Sequence, residues 1–430
     1  MIRKLQNLLS LDLVKVSGLT GISTFIRLLT SLGLSKYLAI MIGPSGLAII
    51  GQLTNVTQTM ISFCTLASNQ AVTKYAAEYK DDRSRYYEFL TGVLKMILIS
   101  SVIVSIFSFV ASDWLSHKVI GSDEYSAIFK IFAFNLMLFT LNGFLLAVIN
   151  GNKQFRKFVI INIITSFVSA LLTMGLIWFY GVYGGLISYV TAQSIILVFT
   201  FVAVREEALK IFSEIKNYKL DVGLIKKVLA FSLMTLVSML MYPTSKLMVR
   251  TEIIANLDLM SAGIWEGMNK ISTMFLMLFT TTIPIYYLPR LSELKTAKAL
   301  KREVYLTFKV IVPTITILAV IIYLLRYYVI VIALSDDFLP MQELFAIQLI
   351  GDVFRVISLV FGFALVAKAK IKQFVTIEIL AILVYVGGTY LFIKGFGLKG
   401  PVIAYMLSYF FYALATYAMF TRNLQRGDAD

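Results

Sequence analysis

The sequence predicts an all-α polytopic membrane protein with about twelve transmembrane helices. Three observations carry that prediction. Of the 430 residues, 59% are hydrophobic and only 15% are charged, whereas soluble globular chains carry roughly 25% charge. Apolar runs recur along the whole length, each near the roughly 20 residues a helix needs to cross the hydrocarbon core. The runs are continuously apolar and lack the period-two alternation of a transmembrane β-barrel.

Taken in order, the first span (14–40) contains Arg27, is too long for a signal peptide and lacks a small-residue cleavage site, so it is expected to be retained. The second (46–71) carries a polar stripe, with Gln52, Asn55 and Gln58 at i, i+3 and i+6. Spans at 88–110, 125–149, 158–180 and 184–204 follow, divided by "NGNKQF" and by the glycines of "YGVYGG". The longest hydrophilic connection is 205–227. Beyond it come 228–250 with Pro243 and Lys246, 262–288 with Glu266, Lys270 and Pro284, and 303–325 with Pro313. The tenth span, 340–367, places Asp352 and Arg355 where charge is most costly. The last two are 373–393, with Glu378, and 398–421. Each proline frees a carbonyl and is a candidate kink.

Charge sets the expected orientation. Lysines and arginines concentrate at the N-terminus (Arg3, Lys4), in 72–88, 150–157, 205–227 and 289–302, and at Lys368, Lys370, Lys372, Arg422 and Arg426. The alternate connections hold few: Lys36, Lys118, Arg250, Arg326, Lys394 and Lys399. The positive-inside rule places the first set, and both termini, in the cytoplasm. The net charge of +15 is therefore topology, with an added attraction for anionic lipid, and calls for no nucleic acid. Cys64 and His117 are each the only residue of their type. No internal disulfide and no clustered metal site is expected, nor any cofactor. No GxxxxGK[ST] phosphate loop occurs.

The chain repeats itself. "GFLLAVINGNKQF" (143–155) aligns without gaps to "GFALVAKAKIKQF" (362–374), and "YGVYGGLISYV" (180–190) to "FGLKGPVIAYM" (396–406). A weaker echo joins "SGLAIIGQL" (45–53) to "SAGIWEGMN" (261–269). The separation spans six helices, an even number, so the halves share one orientation as parallel repeats. The expected organisation is a six-helix lobe at 1–204, a cytoplasmic linker at 205–227 and a second six-helix lobe at 228–430, with a substrate path in a cleft between them.

Six stretches resemble the Wzx-type flippases, the polysaccharide-transport branch of the MOP superfamily. They are "GPSGLAIIGQL" (43–53), "VTKYAAEY" (72–79), "GIWEGMNKIS" (263–272), "YYLPRLSEL" (286–294), "LFAIQLIGDVFRV" (344–356) and "AYMLSYFFYAL" (404–414). The similarity is strongest to O-antigen translocases and to flippases of enterobacterial common antigen type, and covers nearly the whole chain. It implies twelve MOP-type helices in the inner membrane of a Gram-negative bacterium. The implied substrate is an undecaprenyl-pyrophosphate-linked oligosaccharide, moved from the cytoplasmic to the periplasmic leaflet. Polymerase and chain-length proteins are the implied partners, alongside membrane lipid.

That substrate gives the intramembrane charges a use. Arg27, Lys246, Lys270 and Arg355 are candidates for the pyrophosphate, because arginine offers a planar fork and lysine a point charge to phosphate oxygens. Gln52 and Asn55 are candidates for sugar hydroxyls, or equally for interhelical hydrogen bonds. Asp352 and Arg355 stand at i, i+3, and Glu266 and Lys270 at i, i+4, so each pair shares a helical face. Asp352, Glu266 and Glu378 are candidate coupling or ion-pair acids; mutual neutralisation of buried charge is the competing role. Two other functions fit the composition: an ion-coupled small-molecule antiporter of the same superfamily, and a membrane glycan-assembly enzyme. The basic lean of the deep charges counts against the first, and short loops with one histidine against the second.

Overall fold

A backbone in lipid must satisfy its own hydrogen bonds, and an α-helix does so within one segment. In a computed structural model, residues 12–218, 222–294, 296–368 and 370–425 are described, and they form helices with no strand among them. Residues 219–221 of the 205–227 connection, and Arg3, Lys4 and Arg426, lie outside the described residues.

The first half comprises α1 (Asp12–Thr65), α2 (Ser68–Glu78), α3 (Arg83–Val110), the single turn α4 (Ser112–Leu115), α5 (Ser126–Gly151), α6 (Phe155–Ala203) and α7 (Arg205–Glu214). The second comprises α8 (Val222–Asn256), α9 (Leu259–Glu293), α10 (Ala297–Leu324), α11 (Arg326–Ala333), α12 (Phe345–Ala367), α13 (Ile371–Phe396) and α14 (Lys399–Gln425). Two elements are double-length and broken at glycine. α1 leaves helical geometry at Gly43 (φ 62°, ψ −170°), next to Pro44, and α6 at Gly181 (φ 56°, ψ −136°). Counting each as two, the described residues supply one long helical segment for each of the twelve expected spans. The tenth span starts later than 340: Asp336–Leu344 is a 3₁₀ stretch holding Pro340, and the α-helix begins at Phe345.

Large apolar side chains point outward along these helices. On α3 they include Ile103, Ile106 and Val110, and on α6 Leu171, Trp178 and Phe179. Such surfaces are favourable against hydrocarbon and costly against water. This is a multi-pass membrane protein.

The chain divides into two units: 1–34 with 52–240, and 35–51 with 241–430. Relative to a simple division at 205–227, the turn of α1 groups with the second unit and the first half of α8 with the first. In unit 1, α2 and α7 are short amphipathic helices. Val72 and Tyr75 of α2, and Ala208 and Ile211 of α7, pack with Phe89, Leu90, Phe144 and Ile196 in one core.

The internal repeat is visible in the backbone of each unit. Gly181 (φ 56°, ψ −136°) and Gly397 (φ 54°, ψ −134°) have the same conformation. One turn on, a Cβ on Gly184 would strike the backbone of Leu176, and one on Gly400 the backbone of Phe392 and Ile393. At the earlier corner, the Gln154 amide donates to the Ile149 carbonyl and the Lys370 amide to that of Leu365, both skipping five residues. Gln154 therefore matches Lys370. This corrects the sequence alignment there: the shared KQF lies three residues out of the structural register, whereas the 180–190 match to 396–406 is in register.

Candidate functional site

A set of charged and aromatic side chains from four helices converges within unit 2. α8 contributes Tyr242, Lys246 and Arg250, at i, i+4 and i+8. α9 contributes Glu266 and Ser272. α12 contributes Gln348, Asp352 and Arg355 at i, i+4 and i+7. α14 contributes Tyr405, Tyr409 and Tyr412 at i, i+4 and i+7. Each set lies on one helical face by its spacing.

Arg355 is held by tyrosines. Its guanidinium lies 5.4 Å from the ring centre of Tyr242 and 5.3 Å from that of Tyr409. Nη1 donates to the hydroxyls of Tyr242 and Tyr405, each at 3.4 Å, the long end of hydrogen-bonding range. Ring faces attract a cation without removing its charge. No carboxylate stands within ion-pairing distance of Arg355 among the described residues.

Asp352 is fully buried. Its Oδ1 accepts from Ser272 Oγ at 2.7 Å, Tyr405 Oη at 2.8 Å and Gln348 Nε2 at 3.3 Å. Its Oδ2 is buried with no partner. Tyr405 thus bridges the two charges, donating to Asp352 and accepting from Arg355. The expected direct pair at i, i+3 is replaced by this bridge. Gly351 makes room for it, since a Cβ there would lie 2.7 Å from the Tyr405 ring.

A second correction concerns Glu266. Its carboxylate is taken by Arg250, not by Lys270. Arg250 is fully buried and also lies 5.5 Å from the Trp265 ring centre. The apolar run ends at Arg250, which the sequence therefore places in a connection, but α8 continues to Asn256. The pair lies against Gly51, where a Cβ would approach Arg250 Nη2 to 2.6 Å. Lys270 forms no ion pair among the described residues.

Beside the Arg355 cage is a cleft lined by Tyr242, Lys246, Glu378, Tyr385, Tyr405, Tyr409 and Tyr412 among others. Lys246 Nζ lies 5.1 Å from the Tyr242 ring centre. Lys246, Arg355, Asp352, Glu266 and Glu378 are therefore neighbours in one unit. Gln52 and Asn55 belong to unit 1, both buried, with Asn55 Nδ2 lacking a partner. Arg27 is also in unit 1, on an exposed face of α1. The sequence alone does not single out these tyrosines or Arg250. The i, i+4, i+7 spacing of Tyr405, Tyr409 and Tyr412 was the available signal, hidden among ordinary interfacial aromatics. No group of His, Cys, Asp and Glu among the described residues could hold a metal.

Comparison with known proteins adds lineage to this geometry. Residues 13–295 match the family model described as polysaccharide biosynthesis protein. Proteins named Lipid III flippase, from Escherichia coli (strain K12) and Shigella flexneri, are each 26% identical over 402 residues, covering 94% of this chain and 96% of theirs. An inward-facing multidrug resistance MATE family transporter of the MOP superfamily superposes with a TM-score of 0.74 at 13% identity, over 94% of this chain and 98% of its own. A MOP superfamily transporter from Pyrococcus furiosus, described as having a binding pocket of reverse polarity, gives 0.73 at 13% identity, over 96% and 95%. At that identity the structural likeness speaks for the fold alone.

Proposed function

This chain belongs to the polysaccharide biosynthesis protein family, and we propose that it is a flippase for a polyprenyl-pyrophosphate-linked oligosaccharide. The observation that carries the reading is the match, nearly end to end, to proteins named Lipid III flippase. Arg355 supports it chemically. A half-buried cation solvated by rings and neutral hydroxyls keeps its charge available, and a pyrophosphate is the partner it lacks. Lys246 supplies a second positive group from α8.

Transport proceeds from the cytoplasmic to the outer leaflet of the inner membrane, with both termini cytoplasmic, by exposing the site to each side in turn. Asp352 is the coupling acid: a proton arriving at Oδ2 alters the hold of Asp352 on Tyr405, and Tyr405 passes that change to Arg355. Glu266 has a structural role, fixed by Arg250. Polymerase and chain-length proteins would receive the flipped substrate. No group-transfer chemistry is assigned to the chain.

The test is transfer of a polyprenyl-pyrophosphate oligosaccharide in reconstituted proteoliposomes, followed by accessibility of the glycan to an external lectin. The reading requires protein-dependent transfer. Its absence across several glycans would reject it and return the ion-coupled antiporter as the alternative.

A further inference from the structure

We propose that the tyrosine-lined cleft of unit 2 is a carbohydrate subsite for the sugar joined directly to the pyrophosphate, an inference that rests on the flippase reading above. Three helical faces build it. α13 brings Glu378 and Tyr385, at i and i+7; α14 brings Tyr409 and Tyr412; α8 brings Lys246. Small residues at the back leave the space: Ser408 Oγ donates to the Ala381 carbonyl at 2.6 Å, drawing α13 and α14 together behind the rings. The enclosed part of the cleft measures about 70 Å³ and continues through an open mouth, so a single sugar ring would sit partly in that mouth.

The lining matches a pyranose. A sugar ring has an apolar C–H face and an equatorial rim of hydroxyls. Tyr409 and Tyr412, with ring centres 6.3 Å apart, offer aromatic faces. Lys246 and Glu378 offer charge-assisted donors and acceptors for the rim. The hydroxyls of Tyr385, Tyr409 and Tyr412 make no hydrogen bond among the described residues, although Tyr385 is only 7% exposed. A buried tyrosine serving packing alone usually pairs its hydroxyl; that of Tyr385 is left for a ligand, with the half-buried Tyr409 and Tyr412 beside it. Position selects the sugar. Tyr409 lines the cleft while its ring also faces the Arg355 guanidinium. A phosphate on Arg355 therefore places the attached sugar, rather than a distal one, against the tyrosines.

The experiment measures binding to the full chain in lipid nanodiscs. The ligands are polyprenol, polyprenyl pyrophosphate, and polyprenyl pyrophosphate carrying one hexose or one N-acetylhexosamine. For the wild type, one of the sugars should tighten binding at least tenfold over the bare pyrophosphate. Tyr412→Leu and Tyr385→Leu should abolish that gain while changing bare-pyrophosphate binding less than twofold, which also shows the variants are folded. Tyr412→Phe, which keeps the ring, should retain most of it. A wild type indifferent to both sugars, or leucine variants that keep the full gain, would overturn the subsite. A bare pyrophosphate bound no better than polyprenol would instead count against the Arg355 assignment, and a sugar gain lost in the leucine variants would still uphold the subsite.

Discussion

At the scale of single residues, two arginines of unit 2, Arg250 buried and Arg355 half-buried, differ in how their charge is met. Arg250 is neutralised by Glu266 and enclosed. Truncating one partner of such a pair strands the other, at about 3–5 kcal/mol. Glu266→Gln should therefore lower the thermal unfolding midpoint in detergent markedly, and adding Arg250→Met should recover much of the loss. Arg355 is met by rings and hydroxyls, so its replacement should act on binding more than on folding. Arg355→Ala should weaken polyprenyl-pyrophosphate binding at least tenfold, and Arg355→Lys should recover only part, since a point charge lacks the planar fork that takes two phosphate oxygens at once. A midpoint shift as large as that of Glu266→Gln would make Arg355 structural. The charged residues were legible in the sequence because a charge in an apolar run stands out. Their partners were not, because the hydrogen bonds of Asp352 reach Ser272 and Tyr405, 80 and 53 residues away.

At the scale of elements, glycine decides where helices bend and how near they approach. Gly181 and Gly397 occupy a backbone region that side chains avoid, at an order-of-magnitude cost of 1–3 kcal/mol for another residue. Gly181→Ala and Gly397→Ala should destabilise by similar amounts, which parallel thermal melts would measure. Unequal losses would mean the two corners are not equivalent. Gly51→Ala should displace the Arg250–Glu266 pair, and Gly51→Ala in a Glu266→Gln background should cost less than the two separate effects combined. The twelve spans were readable because apolar length is nearly sufficient to specify a membrane helix. Helix ends were less so: α8 runs past its apolar run to Asn256 because membrane helices extend into the interface, and this hid Arg250.

At the scale of the whole molecule, the chain joins a MOP-type fold, membership of the polysaccharide biosynthesis protein family and a cation in unit 2 that reaches its nearest carboxylate only through Tyr405. The repeat that made two halves legible was real in the backbone, although its KQF alignment was misleading by almost one helical turn. A pyrophosphate leaving a negative interior gains about 2.3 kcal/mol per charge for each 100 mV. Imposed potential, negative inside, should therefore speed transfer in correctly oriented vesicles, and Asp352→Asn should remove any dependence on a proton gradient while keeping that on potential. The most direct measurement of the central claim compares wild type with Arg355→Ala in the proteoliposome assay, at matched reconstitution and with an unshifted melting curve. The account predicts glycan transfer by the wild type and its loss, by tenfold or more, in the variant. Equal transfer by the two proteins would contradict it.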